Sequence, residues 1–453
     1  METSNHRSWG FTRAPAQRAL VPAWTDAALE TNDGDTALLA GELSASTSGD
    51  RRTSLAFGRG RSYGDSCLNS QGTLIDTRAL DRFVAFDRER GVLTAEPGVT
   101  LAAVLRLIVP AGWFLPVSPG TSHATLGGAI ANDVHGKNHH ADGTFGRFVE
   151  TFTLARSDGR RLICSPDENV DLFRATIGGL GLTGVVLEVT IRLLPIRSDR
   201  MLVRVDTFHG LEEFGLLADA RRETHRYTVA WLDCAASGEG FARGVFLAAN
   251  HDEIPGPLRP AADRTALSVP FAMPSRLLNR YSIRAFNATY FARHRPLDGH
   301  TADQHYQKFF YPLDAIGSWN RIYGAAGFHQ YQFVVPPGRE AALESILQRI
   351  VRSGMGSFLA VLKEFGDVPS PGMLSFPRPG LCLALDFADR GALTERLIRA
   401  LDDEVREAGG AAYPAKDRLM TAEAFADYFP AADEFARHVD PGFSSDFWRR
   451  VHG

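Results

Sequence analysis

The chain has 453 residues, 44% hydrophobic and 23% charged, and its 49 basic and 53 acidic side chains leave a formal charge of −4. These proportions describe a globular chain long enough for two or three domains, and they exclude a disordered chain, a collagen-like repeat and a disulfide scaffold. So small a negative charge gives no electrostatic argument for nucleic-acid binding.

Residues 1–15 carry no apolar run after their first charges, so no secretory leader is expected and a cytoplasmic location follows. Short β-like runs occupy 54–57, 73–76, 92–96 and 150–156. The nearest approach to a spanning segment, 101–117, is broken by Arg106 and Pro110, which leaves at most a peripheral membrane contact. At 185–193, Val185, Leu187, Val189, Ile191 and Leu193 alternate with Glu188, Thr190 and Arg192, the pattern of a strand with one buried face. Strands at 225–233 and 242–249 come next, then a polar, proline-punctuated stretch over 252–300. A strand at 329–335 leads to a helix at 339–353, whose stripe is Leu343, Ile346, Leu347, Ile350 and Val351, with Gly354 to cap it. Strands at 357–363 and 381–387 and a helix at 391–408 complete a β-α-β-β-α order, most of a split βαβ unit: an antiparallel sheet with helices on one face. The expected fold class is α+β, with domains at 1–197 and 198–410 and a segment, 411–453, that docks back onto an earlier one.

Two glycine-rich segments carry the chemistry. In FGRGRSYGDS (57–66), Gly58, Gly60 and Gly64 permit a tight turn whose N–H groups converge like a phosphate-binding nest, and Arg59, Arg61, Ser62 and Tyr63 add donors. No G-K-[ST] follows, so it is not a Walker loop. In PGTSHATLGGAIANDVHGKNHH (119–140), Gly127, Gly128 and Gly136 stand beside His135, Lys137, Asn138, His139 and His140. A metal site of His135, His139 and His140 is disfavoured, because Gly136 weakens the helix that an i, i+4 pair needs and no H-E-x-x-H glutamate is present. A third segment, GGLGLTG, holds a formal G-x-G-x-x-G at Gly179, Gly181 and Gly184, but a helix-like stretch precedes it and a strand follows, the reverse of a dinucleotide-binding turn. Its glycines are expected to admit something flat or bulky close to the backbone.

The four cysteines, Cys67, Cys164, Cys234 and Cys382, include no C-x-x-C pair and are expected to be reduced. Only Lys137, Lys308, Lys363 and Lys416 among the 49 basic residues are lysines, which draws attention to each as a place where an ammonium is specifically useful.

The spacing of GRGRSYGD, PGTSHATLGGAIANDVHGKNHH, FGRFVE and GGLGLTGVVLEVTIRL resembles the vanillyl-alcohol-oxidase-type (PCMH) FAD-binding fold. DVHGKNHH (133–140), WNRIYGAAGFHQYQFVVP (319–336), FLAVLKEFG (358–366), MLSFPRPG (373–380) and YPAKD (413–417) extend the likeness to the decaprenylphosphoryl-β-D-ribose 2′-oxidase family, the FAD subunits of an epimerase in arabinan cell-wall synthesis. The resemblance implies that residues 58–63 bind the FAD pyrophosphate. It places Pro119, Gly120, Thr121, Gly127, Gly128, Asn132, His135 and Gly136 along the ribityl chain and isoalloxazine ring, with Gly181, Gly184 and Val185 near the rest of the cofactor. Many relatives attach FAD through a histidine just before the Ser-Tyr of the first loop; here that residue is Arg61, so a non-covalent FAD is expected.

The implied reaction oxidises a secondary sugar alcohol to a ketone, most directly the 2′-hydroxyl of a polyprenylphosphoryl pentose, with a short-chain reductase as partner for the second half of an epimerisation. The catalytic residues expected are Lys416, beside the flavin or the reacting hydroxyl, His135 as base or hydrogen-bonding group, and Tyr63 to orient substrate. Lys137, Gln330, Gln332 and Lys363 match sugar- or phosphate-binding positions, and Trp231 an apolar wall. The family's pocket cysteine is replaced by Ala384, and period two brings Cys382 to the same face. An oxidase of a soluble sugar, polyol or aldonolactone and a non-catalytic flavin-binding protein are the competing functions.

Overall fold

The computed structural model describes residues 2–4, 6–11, 17–21, 53–262, 267–274 and 277–453. The leader expected to be absent from residues 1–15 falls partly outside the described residues. Three sheets carry the α+β architecture. The first is built of β1 (Glu2–Ser4), β2 (Gln17–Leu20), β3 (Ser54–Phe57) and β4 (Thr73–Asp76) in the order β1-β2-β4-β3. Its β4 runs parallel to both β2 and β3.

The second sheet is antiparallel, in the order β5-β6-β9-β7-β8, from β5 (Phe83–Asp87), β6 (Val92–Ala95), β7 (Val149–Ala155), β8 (Arg161–Cys164) and β9 (Val185–Arg192). Between β6 and β7 lie α1 (Leu101–Ile108), capped by the Thr100 hydroxyl, and α2 (Leu126–Ala131), capped by that of Thr125, followed by one helical turn at His139–Asp142. Strand β9 departs from the simple alternation expected of it. A register shift between Val186 and Glu188 turns the first half over, so Val186, Val189 and Ile191 join the main core while Val185 and Leu187 pack with Ile75 and Phe443.

The third sheet has eight antiparallel strands: β10 (Arg200–His209), β11 (Tyr227–Leu232), β12 (Arg243–His251), β13 (His300–His305), β14 (Phe328–Val335), β15 (Ala360–Phe365), β16 (Gly380–Ala388) and β17 (Ala411–Ala412). Their order is β13-β10-β12-β11-β15-β16-β14-β17. Two β-α-β-β-α runs therefore lie side by side. One holds α3 (Gly210–Arg222) and α4 (Arg280–His294), the other α5 (Glu340–Ser353) and α6 (Ala392–Glu407). The first run is a correction: the sequence supplied neither β10 nor a helix within 252–300. Helices α5 and α6 bury Leu343, Ile346, Leu347, Ile350, Leu397, Ile398, Leu401 and Val405 against Tyr331, Phe333, Leu362, Leu383 and Leu385 of the sheet. That covers one face and leaves the other for the site. The last stretch, past β17, returns to the first sheet, where Phe443 bridges Ser54 and Asp440 accepts from the Ser157 N–H at 2.9 Å.

Candidate active site

The chain leaves β3 directly into the first glycine loop. Gly60 has φ +58°, and a Cβ there would stand 2.5 Å from the Arg7 carbonyl, so both backbone sign and space require glycine. Gly64 is tighter still: its Cβ would lie 1.5 Å from the Asp417 carbonyl. The loop is thus pressed onto YPAKD, and the Tyr63 N–H donates to the Ala415 carbonyl at 2.9 Å. Arg61 lies 3.9 Å over the Trp9 ring, with its buried Nε unpartnered, and burial lowers its pKa. No described residue accepts from the backbone N–H of Arg59, Gly60 or Arg61.

The second loop is held from the other side. Thr121 Oγ1, Ser122 N–H and Ser122 Oγ donate to the Asp314 carboxylate at 2.7, 2.7 and 2.8 Å. Past Pro119, Gly120 has nothing within 4 Å of where a Cβ would be, and its N–H finds no described acceptor. The other glycines face protein. A Cβ at Gly58 would meet Thr125 Oγ1 at 2.6 Å, at Gly127 the Pro97 ring at 2.8 Å, at Gly136 the Asn138 amide oxygen at 2.5 Å, and at Gly128 the Thr125 hydroxyl at 3.1 Å. In the third segment, a Cβ added at Gly179 would stand 2.0 Å from the Ala175 carbonyl, one at Gly184 2.3 Å from that of Ala155, and one at Gly181 3.6 Å from Leu55. The close approach at Gly179 and Gly184 is to the protein's own backbone. Val185 is likewise packed into the small apolar cluster. Asn132 fastens α2 to the tail segment: its amide donates to the Gly128 carbonyl at 2.8 Å, and its own carbonyl accepts from the Tyr413 hydroxyl at 2.7 Å.

The open face of the large sheet supplies the rest. In register, Gln332 stands opposite Ala384, Gln330 opposite Asp386, Lys363 opposite Cys382, Val361 opposite Ala384 and Trp231 opposite Val361. Directly paired residues share a face, so Trp231, Lys363, Cys382, Ala384, Asp386, Gln330 and Gln332 line one surface. Trp231 gives its indole N–H to the Phe358 carbonyl at 3.0 Å and packs on Tyr290. Cys382 is fully buried, accepts from Gln332 Nε2 at 3.3 Å, and is pushed up to about 11 by burial.

His135 meets this face from α2's side. Its Nε2 lies 2.7 Å from the Gln332 amide nitrogen and its buried Nδ1 has no partner. The rings of Phe365, Phe376 and Tyr413 surround it at 4.9, 5.7 and 5.2 Å. Burial, with Lys363, His139 and Lys416 nearby, holds its pKa well below the usual imidazole value, so it is neutral at pH 7. The three histidines serve different neighbours: His139 packs on Phe365 at 4.5 Å and His140 Nε2 contacts the His225 carbonyl at 3.0 Å. Lys137 donates to the Phe309 carbonyl and lies 4.3 Å from that ring, and burial, with Lys363 second, lowers it to about 7.

Lys416 lies with Nζ 3.7 Å over the Tyr63 ring. Burial pulls it down to about 7 despite the opposing pull of Asp386. Asp386 is pushed up to about 7 by the same burial, against the Gln330, Lys416 and Tyr323 contacts that favour its anion. Gln330 Nε2 donates to its Oδ1 at 2.5 Å and Tyr323 OH to its Oδ2 at 3.3 Å. Asp386 and Asp314 were not picked out from sequence. A carboxylate in the otherwise apolar LCLALDF strand was the available signal for the first.

The acceptor-free N–H groups of residues 59–61 and 120, the open space at Gly120 and the bare Arg61 Nε and His135 Nδ1 fit a guest rich in acceptor atoms. Such a cradle beside the polar face of the large sheet suits an FAD-dependent oxidoreductase acting on CH–OH groups, and an FAD binding domain model matches residues 45–165. Along 99% of its length the chain is 36% identical to decaprenylphosphoryl-β-D-ribose oxidase of Mycolicibacterium smegmatis, covering 98% of that protein, and it belongs to that family. Partial matches reach the human Δ24-sterol reductase (32% identical; 28% of this chain, 24% of the reductase) and the D-arabinono-1,4-lactone oxidase of Yarrowia lipolytica (27% identical; 35% of this chain, 31% of the oxidase).

Proposed function

We propose that the protein holds FAD without a covalent bond and oxidises the 2′-hydroxyl of a polyprenylphosphoryl pentose to a ketone, with a short-chain reductase completing an epimerisation. The observation that carries the substrate is that three of the chain's four lysines, Lys137, Lys363 and Lys416, are buried within electrostatic reach of one another, while Asp386 beside Lys416 is pushed up to about 7. Buried ammonium groups in excess of carboxylates ask for an anionic guest. A phosphodiester meets that need and a free sugar does not.

Bound FAD supplies the hydride acceptor. Residues 58–63 and 119–121 hold its pyrophosphate and ribityl chain, while Lys416 offers positive charge to the electron-rich edge of the ring. Lys363 and Lys137 bind phosphate, Gln330 and Gln332 the sugar hydroxyls, and Trp231 walls the pocket. The hydroxyl proton passes to the Lys416–Asp386 pair, both of whose groups burial shifts towards about 7. His135 stays neutral and orients Gln332, and Tyr63 positions the Lys416 ammonium. Domain limits at 1–197, 198–410 and 411–453 accompany this proposal.

Steady-state rates on a polyprenylphosphoryl pentose, the free pentose and an aldonolactone test it. The lipid-linked substrate is expected to lead by about a hundredfold in kcat/KM, the worth of two charge-assisted contacts. Equal rates would make the protein a soluble-sugar oxidase.

A further inference from the structure

Residues 6–11 run between the first glycine loop and residues 319–328 and are bonded to both. On the loop side the Trp9 N–H donates to the Ser62 carbonyl at 2.8 Å, and the Ser8 hydroxyl to that of Tyr63 at 3.1 Å. On the other side the Phe328 N–H donates to the Gly10 carbonyl at 3.3 Å, and the Asn320 amide to that of Trp9 at 3.1 Å. The fit leaves no room for a methyl group. A Cβ at Gly10 would stand 2.5 Å from the Tyr63 carbonyl and 2.9 Å from that of Phe328, and one at Gly327 2.4 Å from the Gly10 carbonyl. The N-terminal end is pinned to the first sheet, where His6 Nε2 lies 2.8 Å from Asp76 Oδ2. At the centre, the Trp9 ring carries Arg61 at 3.9 Å and meets the Trp319 ring at 5.8 Å.

We propose that residues 6–11 are a strap that sets the conformation of the cofactor loop, with Trp9 as its positioning residue. Both hydrogen bonds from the strap to the loop end on carbonyls. An aromatic ring holds a guanidinium by its face and spends none of its N–H donors. The strap therefore fixes the loop while leaving the N–H groups of residues 59–61 and the buried Arg61 Nε to the cofactor. Donors fixed in advance cost less to order when the guest binds. The inference rests on the reading that residues 58–63 hold FAD.

Apoprotein is titrated with FAD by flavin fluorescence, and hydrogen exchange at the Trp9 amide is followed with and without FAD. Trp9→Ala should weaken FAD by about tenfold, and Trp9→Phe, which keeps a ring under Arg61, should recover most of that loss. Gly10→Ala should weaken it at least as much, because its methyl group pushes the loop and Phe328 apart. Leu401→Ala, in the core of the substrate domain, should lower the melting temperature and leave FAD affinity within about twofold. By linkage, FAD should in turn slow exchange at Trp9. FAD binding by Trp9→Ala as tight as the wild type's overturns the proposal, as does a loss that Leu401→Ala reproduces, that Trp9→Phe does not relieve, or an exchange rate that FAD leaves unchanged. Arg59→Glu separates the reading beneath, since Arg59 is exposed and lies outside the strap contacts. Weakened FAD in that variant with none in the strap variants sinks the strap alone. Unchanged affinity in all of them moves FAD away from residues 58–63 and sinks both.

Discussion

Two buried groups of the site, Asp386 and Lys416, are shifted in opposite directions by their surroundings. Burial disfavours the charge of each, and their mutual attraction only partly offsets that cost. As proton acceptor the pair works in its deprotonated form, so turnover should rise with pH through about 7. Asp386→Asn should flatten that rise and lower kcat by about a hundredfold or more, as a pH–rate profile would record. The same substitution has a signature in stability. Folded Asp386 keeps its proton up to about 7, whereas an unfolded aspartate loses it near 3.8, so this group's contribution to stability falls as pH rises across that window. Melting curves of the Asn variant should therefore gain on the wild type from about pH 4 to about pH 8; a constant difference would mean that Asp386 ionises normally. Ala384 offers a separate test. It occupies the pocket face opposite Gln332 and carries no thiol, while Cys382 beside it is fully buried and held protonated. Maleimide treatment of the native protein should leave Cys382 unmodified in peptide mass spectra, and Ala384→Cys should create a labelled site.

At the scale of elements, the join between the first glycine loop and YPAKD depends on Gly64. A methyl group placed 1.5 Å from the Asp417 carbonyl forces the two segments apart. Gly64→Ala should thus lower FAD affinity as well as melting temperature, and tight FAD binding by this variant in a fluorescence titration would contradict the contact. Helices α5 and α6 were legible because each repeats apolar residues at helical spacing, and the observed spans, Glu340–Ser353 and Ala392–Glu407, fall within the predicted ones. Helix α4 was not legible. Its buried positions are only Ile283, Asn287 and Phe291, a stripe with a polar residue at its centre. Strand β15 begins three residues later than expected, at Ala360, because Ser357 turns the chain with its own hydroxyl, which pairs with the backbone of Leu359. The site divided along the same line. The loops around Gly60 and His135 announce themselves as motifs, whereas Asp386 and Asp314 matter only through neighbours that the fold brings from elsewhere in the chain.

Over the whole molecule, three regions far apart in sequence meet at one place. The glycine loops provide donors, the large sheet provides a polar face between two glutamines and a lysine, and the returning tail delivers Lys416 onto Tyr63. No described helix is long and apolar enough to cross a membrane. Arg61 lies over Trp9, and a guanidinium is not a group that forms a covalent bond to a flavin. Acid precipitation of the yellow protein should therefore release FAD into the supernatant, and a yellow pellet would contradict a dissociable cofactor. The central claim, that this site oxidises a lipid-linked sugar with FAD, is tested most directly by mixing FAD-loaded protein with a polyprenylphosphoryl pentose in the absence of oxygen and following the visible flavin absorbance. The account predicts bleaching in the wild type and none in Lys416→Met with FAD still bound; a wild-type flavin that stays oxidised would contradict it.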